Sequence, residues 1–194
     1  VRAVAGRKQK ESRSKAKKYL LPVLLSGALL FAFYAAATLA AGSTYFWTAV
    51  VSDSMSHAGN PSWRVYFEDV SVRREALRNS SAPIEEKTRT YDTSKFPIQD
   101  GFSRGDLLIV KHVSASEISV GDVIIVSRRF NRIPMVHRVL AIWEDEGEIR
   151  IVTKGDHNTI TISSDLDIHP SEVIGKVVFV VPKLGWLSIL IRGE

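Results

Sequence analysis

Gly105-Asp106-Leu107-Leu108-Ile109-Val110 returns sixteen residues later as Gly121-Asp122-Val123-Ile124-Ile125-Val126. Each copy is a Gly-Asp turn launching an apolar run of strand length, and β-branched side chains in such a run favour an extended chain. Three further runs read the same way: Met135 to Ile142, Glu148 to Thr153 and Val173 to Val181, with Gly, Asn or Pro between them. Beyond residue 100 only the tail Leu184 to Ile191 carries a 3.6-residue apolar period. The pattern predicts a mainly β domain built on an antiparallel sheet.

Upstream of that domain the chain changes character. Between Lys18 and Asp53 no charged side chain occurs, and Leu20 to Ala41 is apolar or small throughout. A helix of that length crosses a hydrocarbon core of about 30 Å. A secretory signal peptide shares the basic start and apolar run, but its run is shorter. Residues 1–18 hold eight basic side chains against one acidic, a local +7, so the rest of the chain sums to −2. The basic excess belongs to the tail, which argues against a nucleic-acid surface on the folded domain. By the positive-inside rule the tail is cytoplasmic and everything after Ala41 lies across the membrane, with Tyr45, Phe46 and Trp47 at headgroup height.

The chain of 194 residues has no cysteine, which excludes disulfides, thiolate metal sites and a cysteine nucleophile. No metal-ligand cluster or phosphate-cradling loop is spelled out, so neither metal nor cofactor is expected. The expected organisation is a basic cytoplasmic tail over 1–18, a transmembrane helix over 19–42, an extracytoplasmic β domain over 43–183 with an insertion near 57–100, and an apolar tail over 184–194. Residues 56–104 are rich in turn formers and mixed charge and read as a solvated excursion, with a short helix around Val72 to Arg78. The apolar tail is too short to span a bilayer. It fits a helix on the membrane surface, a helix packed under the sheet, or the start of a second span.

Three clusters carry residues able to do chemistry. In Ala49-Val50-Val51-Ser52-Asp53-Ser54-Met55-Ser56-His57 a strand would place Ser52 and Ser54 on one face and turn Met55 toward the core. His137 stands in an apolar strand between Val136 and Arg138. Lys154-Gly155-Asp156-His157-Asn158 closes another strand, with Asp165 and Asp167 beyond it. Each has an ordinary structural reading: serines cap turns, strand histidines pack, and Asp after Gly is turn chemistry. Together they supply a hydroxyl nucleophile, a general base and a carboxylate to orient the imidazole.

In that order, after an outward-facing anchor, Ser52-Asp53-Ser54-Met55, the Gly-Asp strands, Val136-His137-Arg138-Val139, Lys154-Gly155-Asp156-His157-Asn158 and Val173-Ile174-Gly175-Lys176-Val177-Val178 resemble type I signal peptidases. More narrowly they are similar to the archaeal and endoplasmic-reticulum branch, which has His where the bacterial branch has a catalytic Lys. The resemblance covers residues 20–56 and 101–187. It implies a signal-peptidase-like β catalytic domain, a serine endopeptidase acting on signal peptides at a cell membrane, and the bilayer and the protein-translocation channel as partners. It makes Ser54 the nucleophile, His137 the base and Asp156 a supporting carboxylate. Ile162 stands at the commonest position of the triad acid, which shifts that role to Asp165 or Asp167. Asp167 is preferred, because Ile168-His169-Pro170 runs on as longer variants of that loop do. Ser52 and the Ser54 amide are the implied oxyanion donors, and Val50 and Val123 to Val126 the candidate pocket walls.

Competing readings are a lysine base at Lys111 or Lys154, a base at His57 or His157, and an inactive anchored β module that binds signal peptides or a translocation partner.

Overall fold

The computed structural model describes residues 2–58, 62–129, 131 and 133–192, with their side chains from Lys18 to Ile191. The basic side chains before Lys18, Gly59 to Pro61 within the expected insertion, and the last two residues lie outside that range. Two compact units divide the chain at residue 40. The first is a single helix, α1 (Arg2–Ala41). Its segment Lys18–Ala41 is long and apolar enough to cross a membrane, and its apolar side chains are exposed.

The second unit is built on one six-stranded antiparallel sheet of β1 (Trp47–Ala49), β2 (Leu107–Lys111), β3 (Val123–Val126), β4 (Met135–Asp145), β5 (Glu148–Lys154) and β6 (Val173–Val181), in the order β1-β2-β6-β3-β4-β5. β2 and β3 are the two repeated phrases, and both are launched by one device. Ser103 to Asp106 and Ser119 to Asp122 are four-residue turns in which the last amide donates back to the serine carbonyl, 3.1 Å in each. The aspartate carboxylate accepts the serine amide, at 2.8 and 2.9 Å. The third position needs a left-handed backbone, φ 88° at Gly105 and 94° at Gly121, so glycine is the residue that fits. β4 and β5 form a hairpin whose two-residue loop, Glu146-Gly147, has positive φ at both positions, as a tight turn between twisted strands requires.

The strand expected to carry the two serines ends earlier. β1 stops at Ala49 because the next backbone groups are captured by the Gly105 turn: Val50 N–H donates to Asp106 O and Val50 O accepts from Gly105 N–H, both at 2.9 Å. Ser52 and Ser54 therefore lie on an extended stretch and a turn, the latter closed by Ser56 N–H on Asp53 O at 3.0 Å. Met55 is buried, packed with Val50, Phe102, Leu108 and Ile125 beneath that turn.

The segment read as a solvated excursion is folded. It forms α2 (Val65–Glu68), α3 (Val70–Ala76) and α4 (Ile84–Thr88), and Asp69 caps α3 by accepting from the Ser71 and Val72 amides. Trp63, Phe67 and Leu77 bury themselves against Leu140, Trp143 and Val152 of β4 and β5, making one of the three core clusters. The segment covers a sheet face that its apolar side chains would otherwise leave wet. The apolar tail is α5 (Trp186–Arg192), with Ile189 buried and Leu187, Leu190 and Ile191 exposed.

Candidate active site

His137 lies on β4, where it pairs with Ile124 of β3, and its ring is buried. Its Nδ1 is 2.6 Å from Asp165 Oδ1. A carboxylate only accepts, so Nδ1 carries the proton and Nε2 of the neutral ring presents a lone pair. Ser54 Oγ sits 3.1 Å from that Nε2, in position to donate. Asp165 is fully buried and also accepts from Thr153 Oγ1 at 2.7 Å and from the Ile162 amide at 3.0 Å. A buried carboxylate with three donors is held in one orientation without an unsatisfied oxygen. Ser54, His137 and Asp165 thus form a continuous hydrogen-bonded chain from hydroxyl to carboxylate.

The preferred aspartate is not in that chain. Asp167 has φ 49°, which turns its side chain out to accept from Ser81 Oγ at 2.8 Å. The expectation that Asp167 meets the imidazole is corrected by this placement. Asp156 is engaged by Arg138 and His57. Its buried carboxylate accepts from Arg138 Nε at 3.0 Å, from an Arg138 terminal nitrogen at 2.8 Å, and pairs with His57 Nε2 at 2.8 Å. Burial pushes the Asp156 carboxyl upward, but hydrogen bonds from His57 and Arg138 outweigh it and hold the group below the ordinary carboxylate range.

Ser52 Oγ is 3.4 Å from Ser54 Oγ, so the two hydroxyls do share a side even without a strand. The competing bases are placed elsewhere. His57 is engaged by Asp156, and His157 Nδ1 lies 3.1 Å from Ser56 O. Lys111 pairs with Glu117 on the surface. Lys154 is buried, donates to the Gly155 and Asn158 carbonyls and lies 3.5 Å from the centre of the Tyr66 ring. Burial lowers its pKa to about 8, against the pull of Asp156 and Asp165. Gly155 lets the loop close on the site: a Cβ there would fall 2.8 Å from Ser54 O and 2.9 Å from His137 Nε2.

The serine and histidine open into a cleft of about 560 Å³ walled by Val50, Val51, Phe102, Ile125 and Met135. Of the expected walls, Val50 and Ile125 take part. Among the described residues no group of three or more His, Asp or Glu is arranged to hold a metal ion.

No family model matches the chain. Over 103 residues it is 30% identical to the signal peptidase complex catalytic subunit sec11 of Neurospora crassa, which covers 48% of this chain and 58% of that protein. It is 31% identical over 103 residues to SEC11 of Scheffersomyces stipitis, covering 48% and 60%, and 28% identical over 101 residues to SEC11C of Homo sapiens, covering 49% and 53%. The chain is a homologue of these subunits. It spans a little over half the length of each of them. All three are eukaryotic, so the archaeal side of the resemblance is not represented among these signal peptidase relatives.

Proposed function

We infer that the chain is a membrane-anchored serine endopeptidase that removes signal peptides from translocated preproteins. The observation that carries this reading is the Ser54–His137–Asp165 chain at the mouth of an apolar cleft. Ser54 Oγ attacks the carbonyl carbon at the cleavage site while His137 Nε2 takes its proton, and the Asp165 charge stabilises the resulting imidazolium. The tetrahedral oxyanion lies toward the Ser54 amide and the Ser52 hydroxyl, and loss of one such donor costs about 3–4 kcal/mol in the transition state. His137 then gives its proton to the leaving amine, which departs with the mature chain. Water, activated by the same imidazole, cleaves the Ser54 ester and releases the signal peptide.

The basic tail and span orient the domain on the far side of a membrane from the cytoplasm. Anchoring there restricts the search to the plane in which signal peptides lie and sets their approach. Signal peptides and lipid are the partners this reading requires, and the translocation channel is the natural source of substrate.

Cleavage of a membrane-inserted preprotein carrying an Ala-x-Ala site tests it. The wild type cuts after the last small residue, whereas Ser54→Ala and His137→Gln, both folded, do not. A Ser54→Ala protein that cuts at the wild-type rate removes the assignment, and binding of signal peptide without any cutting returns the chain to the anchored binding module.

A further inference from the structure

His57 is three residues past the nucleophile, and the mechanism above gives it no role. Its surroundings do. The ring Nε2 is 2.8 Å from Asp156 Oδ2, and the ring stacks on Trp63 with centroids 5.4 Å apart and planes 23° from parallel. The other ligand of Asp156 is Arg138, the residue after the base on β4. All five Arg138 N–H groups are used: two on Asp156, and the others on the carbonyls of Pro97, Ile98 and Gly121. The same guanidinium lies 4.2 Å from the centre of the Trp63 ring. One buried carboxylate therefore ties the nucleophile turn, through His57, to the base strand, through Arg138. Trp63, delivered by the helical segment between the two, packs against both.

The nucleophile turn has other ties, to two loops and through side chains as well as backbone: Arg104 N–H donates to Asp53 Oδ1 at 2.8 Å, Ser103 Oγ to Ser56 Oγ at 3.3 Å, and His157 Nδ1 lies 3.1 Å from Ser56 O. His157 N–H donates to Ser54 O at 2.9 Å and Phe102 N–H to Met55 O at 3.1 Å. None of these partners lies on the base strand β4, which the turn reaches through His57, Asp156 and Arg138. A fixed side chain at His57 sets the Ser54 Oγ to His137 Nε2 separation, and displacements near 1 Å in such a geometry cost large factors in rate.

We propose that His57 is a positioning residue for the Ser54–His137 pair, acting through its hydrogen bond to Asp156. The proposal rests on the peptidase reading. It touches no substrate and moves no proton; a donor at the position of its Nε2 suffices. Glutamine can supply such a donor and alanine cannot.

The test compares wild type, His57→Ala, His57→Gln and Ser54→Ala as full chains, reading kcat and KM on the preprotein alongside the unfolding midpoint. His57→Ala is expected to lower kcat about 10- to 100-fold with KM within about twofold, and His57→Gln to recover most of the loss. Wild-type kcat in His57→Ala overturns the proposal. So does an equal fall in the alanine and glutamine variants, which assigns the effect to the ring and not to the donor, or a lowered unfolding midpoint with kcat unchanged, which makes the contact purely structural. An active Ser54→Ala overturns the underlying peptidase reading, whatever the His57 variants do.

Discussion

Asp165 and Asp167 stand one residue apart, and their carboxylates serve different partners. The short 3₁₀ turn Ser163–Asp165 folds Asp165 under His137, where the Ile162 amide caps it. The left-handed backbone at Asp167 then reverses the direction of the next polar side chain, toward Ser81. Replacing Asp165 by Asn puts a donor-capable amide where only an acceptor fits and removes the charge that stabilises the imidazolium, so kcat should fall by on the order of 10³- to 10⁴-fold. Asp167→Asn keeps the left-handed backbone, which Asn tolerates, and should cut at close to the wild-type rate. Preprotein cleavage rates for the two variants decide it, and a deeper loss at Asp167 would restore the acid preferred from sequence. That preference was reasonable on loop length and wrong in placement, because which of two nearby aspartates points inward depends on a single φ angle that spacing does not reveal. Ser54 and His137, the proposed nucleophile and base, were easier to place. Ser54 and His137 lie on segments whose neighbours, Met55 and Val139, mark buried positions by their own apolarity.

At the scale of elements, the five strands after residue 100 were legible because each is a run of β-branched residues bounded by turn formers, and Gly105 and Gly121 mark turns that no other residue accommodates. Of the helices between residues 65 and 88, α3 answers to the short helix expected around Val72 to Arg78, and α2 and α4 were not legible. The three are four, seven and five residues long, too short to display a 3.6-residue period, and the segment is buried by single large side chains, Phe67 within α2 and Trp63 and Leu77 beside the helices. Their proximity to the site follows from Lys154 at the end of β5, whose ammonium lies on Tyr66 of α2 while Tyr66 Oη donates to Thr159 O at 3.1 Å. Burial outweighs the ring and the two carboxylates, so the Lys154 pKa falls from 10.5 to about 8. Between those values the unfolded chain holds the proton that the folded chain has lost, so stability rises with pH across about 8 to 10.5. Below pH 8 keeping the charge buried costs about 3 kcal/mol. The unfolding free energy of wild type, measured in denaturant, should gain on that of Lys154→Met by about this amount as pH is raised through the window. Parallel pH profiles for the two proteins would mean that the ring and carbonyls keep the ammonium charged at its ordinary pKa.

On the whole molecule, the outer face of the β1-β2-β6 edge is apolar in a way the interior does not require. Trp47, Ile109 and Phe179 lie in cross-strand register, as do Ala49, Leu107 and Val181. The register shift between Ile109 and Val110 leaves Val178 as an extra residue, so Val178 and Phe179 are both exposed. Exposed apolar side chains of this kind gain about 1.5–3 kcal/mol each on leaving water, and the expectation is that a bilayer supplies the apolar surface. Trp47 and Phe179 are outside the cleft, which makes them separable from the chemistry. The full chain carrying Trp47→Ser and Phe179→Ser, reconstituted in vesicles, should show KM for a membrane-inserted preprotein raised several-fold, while cleavage of a soluble peptide in detergent stays at the wild-type rate. A KM in vesicles equal to that of wild type would mean the face does not meet lipid and that the span alone holds the site at the membrane. A loss on the soluble peptide as well would mean the two side chains support the fold of the cleft, and the exposed stripe would then have to be read as part of its frame.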